Sequence, residues 1–188
     1  MFVLQRKSSA LRAGRRIVAE VRASALNQDG RSAGLSAPSG DAQIRLFQRA
    51  IAEAGIRPEE VGMVEGHGTG TRLGDRTELQ SLARTYGDTE PGGGALLGSV
   101  KSNVGHALAA SGALGLAKVL VAAEHGAVPA TLHAAEASHE IDWDSQGLRL
   151  AQTLTPWPAV GGQRIAATSA FGIAGTNAHV IVSLPEVA

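Results

Sequence analysis

Three observations predict an α/β protein built on a mixed sheet. Strand-like runs alternate with amphipathic helical runs, three polar glycine-containing turns each follow an apolar strand, and the chain is long enough for one real core. At 188 residues with 44% apolar residues, it can bury that core as a single domain, and no internal repeat or linker-like stretch divides it. Aromatic residues are only 3%, so alanine and glycine must supply much of the close packing.

The elements follow in order. Near the start, QRKSSALRAGRR gathers basic side chains in a spacing that suits an exposed hairpin. RRIVAEVRASA alternates apolar and polar residues and predicts a strand with one buried face. The turn-rich NQDGRSAGLSAPSG leads to DAQIRLFQRAIAEAG, where Ile44, Phe47, Ile51 and Ala54 recur at helical spacing and Gly55 stands ready to end the helix. RPEEVGMVEG brings a short strand to a glycine turn, and DRTELQSLARTYG predicts a second amphipathic helix with Asp75 as N-cap and Gly87 as its stop. DTEPGGG reads as a mobile surface loop.

ALLGSV is a short apolar strand ending at Lys101. From Ala107 to about His125 the sequence predicts a helix apolar nearly all round, hence one buried on most sides. Further strands are expected around GLRLAQ, RIAATSAF and AHVIVSL.

Composition excludes several functions. The formal net charge is zero, which offers no basic surface to nucleic acid. There is no cysteine, so disulfides, thiolate metal sites and a cysteine nucleophile are absent from these residues. MFVLQRKSS turns charged before an apolar run develops, and ALAASGALGLAKVLVAA is short for a bilayer span and carries Lys118. A soluble, cytoplasmic protein with no membrane association is expected.

The chemistry concentrates in VEGHGTGT, Val64 to Thr71. A phosphate cradle is one reading, but Gly66, Gly68, Gly70 and Gly74 lack the G-x-G-x-x-G spacing, and no Gly-Lys-Ser or Gly-Lys-Thr follows. A metal site is another. Glu65 and His67 stand two apart at a strand end, but histidines 106, 125, 133, 139 and 179 are scattered, without the short helical spacing of a zinc protease. The third reading is a packed histidine donating to backbone. Two more turns bear on the choice: GSVKSNVGH, with Lys101, Asn103 and His106, and SAFGIAGTNAHV. Set at strand ends, the three turns could converge on one side of the sheet, where open α/β sheets build sites.

These stretches together, ALNQDGRSAGLSAPSG, GHGTGTRLGD, GSVKSNVGHALAASG and FGIAGTNAHVIV, resemble the C-terminal half of a β-ketoacyl synthase of the modular polyketide synthase type, a condensing enzyme of the thiolase-like fold. The resemblance implies a βαβαβαββ-type unit with a mixed five-stranded sheet, one domain over residues 1–188. MFVLQRK and RIVAEVRASA, within 1–28, would then be the closing strands of a missing N-terminal half that bears the nucleophilic cysteine.

The resemblance also implies roles. His67 and His106 match the two active-site histidines that hold the thioester oxygen of the extender unit and assist its decarboxylation. Lys101 matches the lysine behind the second histidine, with Glu78 as its carboxylate partner. Thr69 and Thr71 match threonines that contact the pantetheine arm. Phe171 matches the gating phenylalanine, whose N–H helps form the oxyanion hole. Asn177 ties its turn together, and His133 and His179 are structural. The family usually has alanine where Gly66 stands and a Pro-Ile pair where Arg76 and Thr77 stand, and Ala107 and Leu108 are less polar than usual.

No cofactor and no metal is implied. The expected substrates are phosphopantetheine thioesters on an acyl carrier protein, and the expected partners are that carrier and a cysteine-bearing half or other synthase domains. Two readings follow: the histidine–histidine–lysine half of a decarboxylative Claisen condensation site, incompetent alone, or a non-catalytic remnant that binds a carrier protein or synthase partner. Oligomers or aggregation are expected of the chain by itself.

Overall fold

The computed structural model describes residues 1–31, 34, 37–87, 94–134, 143 and 147–185. Most of the expected DTEPGGG loop, and His139, lie outside the described residues.

The chain runs through α1 (Lys7–Arg12), β1 (Glu20–Gln28), α2 (Gly40–Ala54), β2 (Val61–Glu65), α3 (Arg72–Tyr86), β3 (Leu96–Gly98), α4 (Lys101–Val104), α5 (Ser111–Glu124), β4 (Ala127–Val128), β5 (Arg149–Leu150), β6 (Thr155–Pro156), β7 (Gln163–Phe171) and β8 (Thr176–Pro185). Six strands form one mixed sheet in the order β1-β8-β7-β2-β3-β5. β7, β2, β3 and β5 are parallel, and β8 and β1 run antiparallel at one edge. Successive side chains of a strand point to opposite faces, so each central strand feeds two cores. Val64, Ala167 and Ile181 pack with Phe47, Leu82 and Tyr86 of α2 and α3. Their neighbours Met63, Ala166 and Val182 pack with Val119 and Ala122 of α5. Helices on both faces explain why β2, β7 and β8 are apolar almost without alternation.

The α/β mixed-sheet expectation holds, with several differences. The sheet has six strands rather than five, because β1 pairs along β8 from Glu20↔Ser183 to Gln28↔Thr176 and turns Ala23 and Ala25 inward onto α2. β1 is thus an edge of this sheet. Residues 1–6 form no strand, and the expected basic hairpin is the short helix α1, which buries only Ala10. The basic side chains spread outward, with Lys7 on Glu20 at 2.6 Å and Arg16 on Glu124 at 3.8 Å.

α2 matches its pattern: Ser39 accepts from the Ala42 N–H at its start, and Gly55 ends it at φ 64°. α3 begins earlier than expected, with Thr71 rather than Asp75 at the N-cap. Lys101 to Val104 form a single helical turn. The apolar run after His106 opens with a 3-10 turn, Leu108–Ala110, before α5. α5 buries one face through Ser111, Gly115, Val119, Ala122 and Ala123, and leaves Val121 54% exposed on the other. The small two-stranded β4–β6 sheet is too short to show in the pattern. No helix of the described residues is long and apolar enough to cross a membrane.

Candidate active site

Parallel pairing brings the site together. β2 lies between β7 and β3, so the turns after β2 and β3 and the end of β7 emerge at one rim. They carry His67, then Lys101 and His106, and Phe171.

The turn after β2 is held by carboxylates of the helix that follows it. Glu78 is buried, and its oxygens accept the His67 N–H at 2.7 Å and the Gly68 N–H at 2.8 Å. Asp75 accepts the Gly70 N–H at 3.1 Å. Backbone donors that a phosphate would need are therefore already occupied, and the helix's own acids oppose an anion. Gly68 has φ +42°, and a Cβ there would lie 2.8 Å from the Ser99 hydroxyl, so only glycine lets the turn lie against Ser99. Burial pushes the Glu78 carboxyl up to about 7, against the two N–H bonds that favour its charge. Burial also raises Asp75.

His67 and His106 converge. Their ring centroids lie 5.7 Å apart at 86°, an edge-to-face pair. The Phe171 N–H donates to His67 Nδ1 at 3.3 Å. A backbone N–H can only donate, which assigns Nδ1 as acceptor and puts the ring proton on Nε2. The same holds for His106, whose Nδ1 accepts the Leu108 N–H at 3.0 Å with the Ser111 hydroxyl also 3.0 Å away. Both rings therefore offer an Nε2–H. Burial, then the charge of Lys101 and then His106, lowers His67 to about 4, so it stays neutral at ordinary pH. His106 is exposed, which leaves the site open on its side.

Lys101 stands against His67, with Nζ 3.5 Å from Nδ1. Burial lowers its pKa while the charges of Glu78, Glu65 and Asp75 act to raise it. Glu78 thus acts on Lys101 through its field, while its oxygens serve the turn. Phe171 packs its ring 5.3 Å from His67 and 6.3 Å from Phe47. Its N–H, assigned by resemblance to the oxyanion hole, is here directed at His67.

Thr69 and Thr71 have their hydroxyls 3.2 Å apart. Thr69 lines a cleft of about 530 Å³ with Asp75, Glu78, Lys101 and His106. Asn103 is exposed, and its Oδ1 accepts the Ser102 hydroxyl at 3.3 Å. Asn177 reaches Asp29 at 2.7 Å and Asn27 at 3.2 Å, which joins its turn to the end of β1. His179 is fully buried between Tyr86 Oη at 2.6 Å and Ser169 Oγ at 2.9 Å. Among the described residues no three His, Cys, Asp or Glu side chains cluster as metal ligands. Sequence reasoning missed Ser111, whose only mark is a hydroxyl at the head of an alanine-rich helix.

Comparison with known proteins bears on the family and the fold. The family profile described as β-ketoacyl synthase, C-terminal domain, matches residues 18–135. Polyketide synthase GfsB of Streptomyces halstedii is 51% identical over 183 residues, covering 97% of this chain and 3% of that protein. Erythronolide synthase EryA3 of Saccharopolyspora erythraea is 50% identical over 183 residues, 97% of this chain and 6% of that protein. The chain thus spans only a small part of the curated relatives it matches.

Among solved structures, the oxazolomycin ketosynthase domain OzmH KS7 of Streptomyces albus JA3453 superposes with a TM-score of 0.88 at 39% identity, over 96% of this chain and 32% of that one. The ketosynthase from module 6 of the bacillaene synthase of Bacillus subtilis 168 gives a TM-score of 0.89 at 34% identity, over 96% of this chain and 33% of that one. With a thiolase-like α/β sheet, two converging histidines and these relatives, the chain belongs to the β-ketoacyl synthase C-terminal domain family, of the polyketide synthase type.

Proposed function

We propose that these residues supply the histidine–histidine–lysine side of a decarboxylative Claisen condensation site. The nucleophilic cysteine would come from outside them. The carrying observation is the His67–His106 pair, each ring with Nδ1 occupied and Nε2–H free to donate. The substrate would be a malonyl-type thioester on the phosphopantetheine arm of an acyl carrier protein. Loss of carbon dioxide breaks the bond between the carboxylate and the α-carbon, and its electron pair forms an enolate whose charge rests on the thioester oxygen. Two N–H donors aimed at that oxygen stabilise it where it develops, which is worth roughly 10²- to 10³-fold for each donor.

The enolate carbon would then attack an acyl thioester on the cysteine and release the thiolate. This sequence calls for neither a redox change nor a metal. Neutral donors suit the task, since a histidine held near pKa 4 keeps its Nε2 proton while it donates. Lys101 would add positive potential beside His67. Thr69, on the cleft wall, would face the pantetheine arm. The open side at His106 fits a site that a cysteine-bearing part of a synthase completes.

The test uses the chain with malonyl-pantetheine and acyl-pantetheine. Slow decarboxylation above the solution rate is expected, falling about tenfold or more in His67→Ala and in His106→Ala. Intact-mass spectrometry is expected to show no acyl adduct, because no activated nucleophile is present. A rate indifferent to both substitutions would favour the non-catalytic, partner-binding reading. A stable adduct would show an unrecognised nucleophile and overturn the proposal.

A further inference from the structure

Next to the polar groups of the site lies a buried ion pair to which the motifs give no role. Glu65 ends β2, two residues before His67, and is 1% exposed. Lys118 sits inside α5 with its side chain 8% exposed, and its Nζ lies 2.7 Å from Glu65 Oε2. The other oxygen accepts the N–H of Val100, the residue before Lys101, at 2.5 Å. Neither Oε2 nor Nζ has a further hydrogen-bond partner among the described residues.

Two glycines make room for the pair. A Cβ on Gly115 would lie 3.1 Å from Glu65 Cγ, and a Cβ on Gly98 would lie 2.7 Å from Lys118 Nζ. Stability alone does not explain such a pair, because taking two charges out of water costs about as much as their attraction returns, and apolar side chains of similar volume usually serve as well. Direction is what an apolar pair would lack. One carboxylate binds α5 through one oxygen and the head of α4 through the other, while its own backbone leads into the His67 turn.

We propose that Glu65 and Lys118 are positioning residues that hold the end of β2, the start of α4 and the body of α5 in the register that sets Lys101 against His67. The Gly98 gap is the space the ammonium needs to do so. This rests on reading His67 and Lys101 as one site. Its test reads geometry without substrate, so its failure would leave the decarboxylation result to stand or fall by itself.

Deuterium exchange at imidazole C2, followed across pH by peptide mass spectrometry on the full chain, reports the protonation midpoint of each histidine. In Gly98→Ala the new methyl takes the place of the ammonium without changing any charge, and Lys118→Met removes the charge. Both are expected to raise the His67 midpoint measurably above about 4, because burial, the larger cause, remains while the Lys101 charge that adds to it moves away. His179, held by Tyr86 and Ser169, should keep its slow exchange and so report an intact core. If Lys118→Met unfolds, Gly98→Ala decides alone. An unchanged His67 midpoint in a folded Gly98→Ala chain would overturn the proposal. Loss of His179 protection in both variants would overturn it as well, since the pair would then support the core at large.

Discussion

Glu78→Gln is the perturbation whose effect the site geometry specifies most closely. The carboxylate is buried and accepts two N–H groups of the glycine turn, one on each oxygen. An amide has one accepting oxygen, so one of those N–H groups loses its partner, at a cost of about 1–3 kcal/mol. Titration adds a second effect of opposite sign. Burial raises Glu78 from 4.5 to about 7. For an acid raised in the folded state, the associated stability is fully present below the unfolded value and is lost as pH rises through the folded one. Over 2.5 units that amounts to roughly 3 kcal/mol, of which about 2.5 kcal/mol is lost between pH 5 and 8. Glutamine does not titrate and escapes this loss.

The unsubstituted chain should therefore exceed Glu78→Gln in stability by about 1–3 kcal/mol at pH 5. The gap should close or invert by pH 8. Urea unfolding followed by tryptophan fluorescence at several pH values measures this, since Trp157 is 3% exposed. A gap that stays constant, or widens toward alkaline pH, would show that the charged carboxylate is the favoured buried form, and the reasoning would fail.

Two further outcomes test the surface and the turn. Leu73, Val104, Leu108, Val121 and Ile173 are all more than half exposed, so the chain alone should form oligomers and bind a hydrophobic dye, and a dye-inert monomer by light scattering would contradict this. Gly68→Ala should cost about 2 kcal/mol or more, from its positive φ and the approach to Ser99. Gly66→Ala, whose Cβ would only touch Glu78 and Leu97 at 3.4 Å, should instead gain about 0.5–1 kcal/mol, and paired melting curves separate the two.

Much of the fold was legible in the residues because the signals are local. The 3.6-residue spacing of Phe47, Ile51 and Ala54 with Gly55 at its end marks α2 whatever surrounds it. Apolar runs mark β2, β7 and β8, and the order of four glycine-bearing motifs marks the family. The misread segments are those whose state depends on a partner. The first residues read as a hairpin, but no described strand lies beside them to pair with, and Lys7–Arg12 satisfies its own backbone as a helical turn. Residues 20–28 carry a strand pattern, yet only the edge of β8 decides which sheet they join.

The same division runs through the site. The sequence by itself determined which side chains the site can draw on, His67, His106, Lys101 and Phe171, and that no thiol is among them. The tertiary structure decided what each one touches. Lys101 lies 34 residues from His67 and Phe171 lies 104 away, and parallel pairing of β2 with β3 and β7 brings both to one imidazole. It also gave Glu78 to the backbone of the turn rather than to Lys101, and joined Glu65 to Lys118 in the body of α5. The reason is physical: periodicity reports how a residue lies relative to its sequence neighbours, whereas hydrogen bonds, charge contacts and burial depend on distances that exist only once the sheet has formed.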